Sequence, residues 1–290
     1  IVTKILAGYY FVKTEARLIT CRARGRLRQE EIKPIVGDWV IYDLLTPDTG
    51  VVTEILPRRN YLERPLVANV DQVLVMSAST EPTPNLVLID RLLVTAEYLQ
   101  LQAVVGINKA DLIAGEKGQA MQKLYQSIGY PSFFFSLREE KGLGELDQHL
   151  AGQVTVLAGQ SGVGKSSLLN LLSRRQVAET GAISQRGGSG RHTTKHVELL
   201  PLPTSIGGFL VDTPGFSRLQ LPEGLSSSQL NLYFPEMCQY GDCRFGASCV
   251  HLEEPDCGVK AALEAGLIAQ SRYDSYRQLY LELWENERRY

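Results

Sequence analysis

The sequence predicts a multidomain protein with a small N-terminal β-barrel, a central α/β domain and a mostly helical C-terminal domain. Short runs of β-branched and aromatic residues fill residues 1–67, strand and helix patterns alternate over residues 68–222, and a Cys/His-rich segment precedes helical patterns over residues 223–290. At 290 residues the chain is long enough for two or three domains, and its net charge of −2 does not point to one class of partner.

Residues 1–67 are predicted to form a small barrel because several short strands occur within so few residues. Turns rich in Gly, Pro and Asp separate the runs GYYFVKT, ARLITCRARG, GDWVIYDLL and GVVTEIL. This density of strands favours an OB-fold. The alternate arginines Arg22, Arg24, Arg26 and Arg28 would share one face of a strand and could bind phosphates, although a solvated edge strand accounts for them equally well.

The central region is predicted to contain a parallel sheet, because strand and helix patterns alternate along it. The run VDQVLVMSA is almost continuously apolar, as in a strand that is buried on both faces. Leu88, Leu92, Ala96 and Leu99 recur at helical spacing. Further strands are predicted at AVVGI, SFFFS, VTVLAG, VELLPL and GFLVDTPG, and further helices at Ala114–Ile128 and KSSLLNLLSR.

The segment GQSGVGKS matches the G-x-x-x-x-G-K-[ST] phosphate loop and lies between a predicted strand and a predicted helix. Its glycines allow backbone N–H groups to surround phosphate oxygens at the positive end of a helix. Lys165 would reach the β- and γ-phosphates, and the Ser166 hydroxyl would hold Mg²⁺. A chance glycine-rich turn is the alternative. The candidate nucleotide-binding residues of this loop are Gly159, Gln160, Ser161, Gly162, Val163, Gly164, Lys165, Ser166 and Ser167.

The run FLVDTPG places Asp212 at the end of an apolar strand. Such an aspartate can hold Mg²⁺ through water, and the Gly215 N–H can contact a γ-phosphate. A D-x-x-G pattern is weak by itself and is compatible with a plain turn. Its position after a phosphate loop and at a strand end favours the nucleotide role.

The tetrapeptide NKAD, Asn108 to Asp111, also follows a predicted strand. Asp111 can accept two hydrogen bonds from guanine N1–H and N2–H₂, a pair of donors that adenine does not offer. Asn108 would brace the loop and Lys109 would lie along the base. Ser136, at the end of the SFFFS strand, is a further candidate base contact. Although NKAD is common by chance, its combination with the other two motifs favours GTP.

The segment GRHTTK lies between the phosphate loop and Asp212. A threonine here can complete Mg²⁺ coordination when a γ-phosphate is present, and both Thr193 and Thr194 are candidates. A polar surface loop is the alternative interpretation.

The motifs occur in an unusual order, since NKAD precedes the phosphate loop. An open parallel sheet binds its ligand where the carboxyl ends of its strands meet in space, whatever their order in the chain. Joining the old termini and opening the chain elsewhere on the surface therefore preserves the site. The sequence predicts such a circular permutation.

Four of the five cysteines lie between Cys238 and Cys257, which favours a metal site over disulfides. Three thiolates and the imidazole of His251 would form a closed tetrahedral zinc site with a structural role. Buried free cysteines are the alternative.

The order NKAD, GQSGVGKSS, GRHTT, DTPG resembles that of the RsgA/YjeQ family of ribosome small-subunit-dependent GTPases, and the resemblance covers nearly the whole chain. It implies an N-terminal OB-fold, a C-terminal zinc site and a role in late maturation of the small ribosomal subunit. The family pattern implies Cys249, His251 and Cys257 as zinc ligands. It places four residues between its first two cysteines, whereas Cys243 and Cys249 enclose five, so Cys238 remains an alternative to Cys243.

Catalysis is expected to differ from that of many GTPases, which carry a water-orienting Gln just after D-x-x-G. Phe216 occupies that position, and a phenyl ring cannot hydrogen-bond water. His192 is the nearest substitute and resembles the family's histidine in the same motif; its alternative role is a ribosome contact or a loop anchor. Together with Lys165, Thr193 and Thr194, it completes the candidate catalytic set.

The leading hypothesis is a GTPase that docks on the RNA of the small ribosomal subunit, with Zn²⁺ and Mg²⁺ as metals, slow alone and stimulated by the subunit. A P-loop ATPase or kinase of a small molecule, and an RNA-binding scaffold with a weak nucleotide site, are the alternatives. No apolar run reaches about 18 residues and no secretion signal is evident, so a cytoplasmic protein without membrane contact is expected. A monomer is also expected.

Overall fold

The computed structural model describes residues 1–15, 17–25, 33–63, 65–112, 116–180, 197–203, 205–212 and 221–288. The chain forms two compact units that alternate along the sequence. The first contains Ile1–Gln72, Asp147–Leu157 and Ser166–Phe216, and the second contains Val73–Leu146, Ala158–Lys165 and Ser217–Tyr290.

The described strands and helices are numbered along the chain. The strands are β1 Val2–Leu6, β2 Tyr9–Lys13, β3 Leu18–Ala23, β4 Val40–Thr46, β5 Thr49–Ile55, β6 Tyr61–Glu63, β7 Leu66–Ala68, β8 Gln72–Ala78, β9 Gln102–Asn108, β10 Ser132–Phe134, β11 Val154–Gly159, β12 Glu198–Pro201 and β13 Phe209–Asp212. The α-helices are α1 Leu86–Tyr98, α2 Glu116–Ser127, α3 Leu143–Leu150, α4 Lys165–Thr180, α5 Pro235–Gln239, α6 Gly258–Glu264 and α7 Gln270–Glu287, with 3₁₀ turns at Ser227–Tyr233 and Gly246–Ser248.

The first unit contains the β-rich N-terminal part. Its strands are ordered β11-β13-β12-β1-β2-β3-β5-β4. The four predicted N-terminal runs correspond to β2, β3, β4 and β5, and β1 is an additional strand. Their apolar side chains form one small core of Val2, Val12, Ile19, Cys21 and Val52.

One strand of the first unit departs from the predicted parallel sheet. β11 and β13 are parallel, but β12 is antiparallel to β13 and pairs Leu199 with Val211. The reason is the short connection between them, closed by a hydrogen bond from Leu202 N to Gly208 O at 3.0 Å. A connection of this length can join antiparallel strands but cannot cross over to a parallel neighbour.

The second unit carries the parallel strands β8, β9 and β10, in the order β10-β9-β8. β8 is buried over its whole length, as its continuous apolar pattern predicts. α1 begins where the Asn85 side chain accepts a hydrogen bond from Leu88 N at 3.0 Å. Leu92 and Ala96 of the predicted stripe are buried, whereas Leu99 caps the helix and is exposed.

The C-terminal part of the second unit is helical and has its own core. Phe234 packs edge-on against Tyr276, with ring centroids 5.4 Å apart. Arg272 is also buried in this region, only 1% exposed. No helix among the described residues is both long and apolar enough to cross a membrane.

Candidate nucleotide site and metal centre

The phosphate loop has a backbone that only glycine accommodates at two positions. Gly159 has a φ of +134°, and a Cβ there would lie 2.1 Å from Met76 O. Gly164 has a φ of +109°, and a Cβ there would lie 2.3 Å from Asn108 Nδ2. Both the left-handed conformation and the close approach therefore exclude a side chain.

Lys165 closes this loop and is the first residue of α4. Its ammonium donates to Gly159 O at 2.6 Å and to Gln160 O at 2.8 Å, so it lies across the mouth of the loop. Burial lowers the pKa of Lys165. An anion in the loop would favour the charged form and would face the positive end of α4.

Asn108, the last residue of β9, is buried and joins three segments. Its Nδ2 donates to Val163 O at 2.8 Å, and its Oδ1 accepts from Leu137 N at 3.1 Å. Asn108 thus connects the phosphate loop to the NKAD loop.

The Asp111 side chain is held by Ser136, the further base contact that was predicted from the sequence. Ser136 Oγ donates to Asp111 Oδ1 at 2.6 Å. This hydrogen bond is the main reason why the pKa of Asp111 is lowered, with smaller contributions from Arg138 and Lys109. The Asp111 carboxylate is therefore an ionised acceptor, which is the form required to bind two N–H donors.

The remaining predicted residues are described only in part. Ser166 and Ser167 are exposed in the first turn of α4. Asp212 is the last residue of β13, which runs parallel to β11, the strand leading into the phosphate loop. Further predicted residues lie outside the described residues: His192, Thr193, Thr194 and Gly215, and also Arg26 and Arg28 of the predicted basic stripe.

A segment that the sequence did not single out contacts the NKAD loop. Residues 79–82, which we call the strap, directly follow β8. In the strap, Ser79 Oγ donates to Lys109 O at 2.8 Å. Lys109 Nζ in turn donates to Glu81 O. A serine just beyond a buried strand is a weak signal, because its partner lies 30 residues away in the sequence.

The Cys/His cluster has the dimensions of a tetrahedral metal site. One ligand atom from each of Cys243, Cys249, His251 and Cys257 lies within 4.8 Å of the others. Cys243 Sγ lies 3.7 Å from Cys257 Sγ and 3.5 Å from His251 Nδ1. A zinc ion with Zn–S bonds of about 2.3 Å requires edges of about 3.6–3.8 Å, so the cluster could hold zinc.

Cys238 lies outside this cluster. It is exposed, and its Sγ is 3.6 Å from the carbonyl oxygens of Asn231 and Leu232. The structure therefore groups Cys243, not the alternative Cys238, with the other three predicted ligands.

The backbone around the cluster is fixed by hydrogen bonds. Glu254 accepts from Val250 N at 2.7 Å and Leu252 N at 2.9 Å, on either side of His251. Tyr273 on α7 donates to His251 O at 2.7 Å. His251 itself has a φ of +59°, so these contacts hold a left-handed turn that presents its Nδ1 to the sulfurs.

The thiols of the cluster are buried. Burial raises the pKa of Cys249 to about 12 and also raises the pKa of Cys257. Thiolates would form here only with a strong counter-charge, which a divalent cation supplies. Gly258 N, 3.3 Å from Cys243 Sγ, is a backbone donor to a thiolate at the same site.

Comparisons with known proteins cover nearly the whole chain. A family model described as RsgA GTPase matches residues 55–222, and one described as RsgA N-terminal domain matches residues 1–52. The chain is 43% identical to Small ribosomal subunit biogenesis GTPase RsgA of Alkaliphilus metalliredigens, covering 98% of this chain and 97% of the relative. It is 45% identical to the protein of the same name from Moorella thermoacetica, covering 97% and 96%.

Two solved structures share the fold. The crystal structure of YloQ, described as a circularly permuted GTPase, has a TM-score of 0.81 at 36% identity and covers 98% of this chain and 94% of its own. YjeQ from Thermotoga maritima has a TM-score of 0.82 at 36% identity and covers 98% and 97%.

Proposed function

Because the chain belongs to the RsgA GTPase family and is therefore a GTP-hydrolysing enzyme, we propose that it acts in late maturation of the small ribosomal subunit. The names of the curated relatives, Small ribosomal subunit biogenesis GTPase, support this role. The structural observation that carries the proposal is the pairing of a phosphate loop closed by Lys165 with an ionised Asp111 held by Ser136.

The two loops divide recognition of the nucleotide between them. Residues 159–167 bind the phosphates, with Lys165 exchanging its two carbonyl partners for phosphate oxygens. Asp111 binds N1–H and N2–H₂ of guanine, Ser136 orients that carboxylate, and Asn108 sets the spacing of the two loops. Lys109 lies along the base.

Mg²⁺ would be held with GTP by the Ser166 hydroxyl and, through water, by Asp212, with Thr193 or Thr194 completing its shell and Gly215 N–H facing the γ-phosphate. The ion supplies charge neutralisation of the phosphates. His192 orients the attacking water, since Phe216 cannot do so. Hydrolysis is slow in the protein alone and is stimulated when the ribosomal subunit binds.

The regions flanking the nucleotide site bind the ribosomal RNA. We assign residues 1–67 to an OB-fold, 68–222 to the GTPase domain and 223–290 to a zinc domain with a structural ion at the Cys/His cluster. In the first region the Arg22 guanidinium lies over the Tyr9 ring, 4.6 Å from its centroid, and donates to Tyr9 Oη. A cation stacked on an aromatic ring on a partly exposed strand suits phosphates and bases. The protein acts as a cytoplasmic monomer.

The test is GTP turnover by the purified protein with and without isolated small ribosomal subunits. We expect slow turnover alone and at least about tenfold faster turnover with subunits. Lys165→Ala is the control for contaminating GTPases. A lack of stimulation would refute the ribosomal role, and equal affinity for GTP and ATP would favour a small-molecule kinase or ATPase instead.

A further inference from the structure

The NKAD loop contains a backbone conformation that needs support from outside the loop. Lys109 has a φ of +68°, in the left-handed region that disfavours a residue with a Cβ. Asp111 lies two residues further on, so the orientation of the Lys109 peptide determines where the Asp111 carboxylate points. The hydrogen bonds that hold this peptide are therefore part of base recognition.

Ser79 supplies those hydrogen bonds. Its backbone N–H donates to Asn108 O at 2.9 Å, and its hydroxyl donates to Lys109 O at 2.8 Å. Ser79 is only 4% exposed, so the interaction is shielded from water. Two consecutive carbonyls of the NKAD loop are thus bound by one residue at the end of β8.

The contact is reciprocal and extends to the phosphate loop. The Lys109 ammonium donates to Glu81 O, two residues beyond Ser79. The next strap residue, Pro82, lies beside the phosphate loop, where a Cβ at Gly162 would be 3.7 Å from Pro82 Cδ. The strap therefore forms hydrogen bonds with the NKAD loop and lies beside the phosphate loop.

We propose that Ser79 is a positioning residue for guanine recognition: its hydroxyl fixes the left-handed Lys109 peptide and thereby aims Asp111 at the base. The inference rests on the proposed role of Asp111 in reading guanine. Ser79 need not touch the nucleotide, since it acts through the NKAD loop.

The test compares Ser79→Ala with Ser77→Ala in binding titrations. Ser77, on β8 two residues before Ser79, is a matched buried serine that is 3% exposed, and its hydroxyl bonds only to the adjacent Ala78 O among the described contacts. We expect Ser79→Ala to weaken GDP binding about five- to tenfold, the effect of losing one buried hydrogen bond, and Ser77→Ala to leave it unchanged. The KM for GTP should rise by the same factor with kcat unchanged.

Binding of inorganic triphosphate distinguishes a loss of base positioning from a general disruption of the nucleotide site, because triphosphate has no base and occupies only the phosphate loop. Ser79→Ala should bind it as the wild type does. Equal losses for GDP and triphosphate would overturn the inference, as would unchanged GDP affinity. Ser79→Thr retains the hydroxyl and should stay within about twofold of the wild type; a Thr variant as weak as the Ala variant would also overturn it.

Asp111→Asn distinguishes failure of this inference from failure of the function it rests on. If Asp111→Asn loses GDP binding while Ser79→Ala does not, the base reader is assigned correctly and Ser79 does not position it. If Asp111→Asn binds GDP as the wild type does, the proposed base site itself is wrong.

Discussion

Arg272 on α7 donates from Nη1 to Asp90 Oδ1 on α1 at 2.5 Å, and both side chains are only 1% exposed. Arg272 Nε also donates to Glu236 Oε1 at 2.6 Å, and the guanidinium lies 4.5 Å from the centroid of the Phe234 ring. One buried cation therefore joins two carboxylates from different helices. This cluster fixes the C-terminal helix on α1, the helix that follows the strap.

Removing the cation should destabilise the protein strongly. Arg272→Met leaves Asp90 and Glu236 buried without their counter-charge, and we expect the free energy of unfolding to fall by about 3–5 kcal/mol. Arg244→Met is the matched control, because Arg244 forms an exposed ion pair with Asp256 and should lose at most about 1 kcal/mol. Urea denaturation measures both variants. Equal small losses would show that the buried cluster is not a main contributor.

Asp90 should make stability depend on pH. Burial raises its pKa although Arg272 opposes the shift, and its Oδ2 has no hydrogen-bond partner among the described residues. A raised folded pKa gives stability that is fully present below the unfolded value of about 4 and is lost as pH rises through the folded value. Asp90→Asn removes this titration.

The measurement is the difference in unfolding free energy between the wild type and Asp90→Asn at pH 5, 6, 7 and 8. We expect the wild type to lose free energy of unfolding relative to the variant as pH rises, since groups that do not interact with Asp90 cancel in the difference. A difference independent of pH would contradict the raised pKa of Asp90.

We expect substitutions of two cysteines, one inside the metal cluster and one outside it, to have opposite effects on zinc content. Cys257→Ser removes a cluster ligand and should lower the zinc content of the purified protein from about one ion per chain toward zero, with a lower melting temperature. Cys238→Ser should retain zinc because its sulfur lies outside the cluster. Zinc analysis of both variants decides this, and loss of zinc from Cys238→Ser would reverse the ligand assignment.

Asp111→Asn should change the preferred base. An amide offers only one acceptor and a donor in place of the carboxylate, so guanine loses a paired contact and we expect GDP binding to weaken at least about 100-fold. Xanthine has a carbonyl where guanine has an amino group, and the new donor suits it. Titrations with GDP and xanthosine diphosphate measure the exchange; retention of GDP preference would contradict the assigned role.

His192→Ala should separate binding from hydrolysis. We propose that the imidazole acts on the attacking water, and on that assignment its loss should lower subunit-stimulated turnover about 100-fold with GTP affinity unchanged. His149→Ala is a control outside the predicted motif. Full stimulated turnover by His192→Ala, with GTP bound normally, would assign His192 to docking or loop anchoring instead.

The sequence predicted the nucleotide loops because their chemistry lies in consecutive residues. Gly159 to Lys165 carries its own glycines and ammonium, and Asn108 to Asp111 begins at the end of a strand that is buried from Ala103 onward. Local sequence motifs of this kind remain recognisable in the permuted order, because the position of each loop depends only on the strand that precedes it. The zinc cluster was predicted equally well, but spacing alone left Cys243 and Cys238 open until geometry grouped the sulfurs.

Long-range pairings were not predictable from such signals. Arg272 lies in a polar helical run and resembles a surface residue, while its partner Asp90 is 182 positions away. Ser79 likewise meets Lys109 only because β8 and β9 end at the same edge of the second unit. The antiparallel pairing of β12 was also not predicted, because an apolar run does not determine whether a strand pairs parallel or antiparallel to its neighbour.

The pairing of β1 with β12 has a consequence for the N-terminal strands. β12 has β13 on one side and β1 on the other, with Lys4 opposite Glu198 and their charged groups 3.2 Å apart. A chain shortened to residues 56–290 would present the row of backbone N–H and C=O groups on β12 without a partner. Such an open strand edge recruits other chains and promotes aggregation. The N-terminal strands therefore also cover the edge of β12, which would otherwise be open to pairing with another chain.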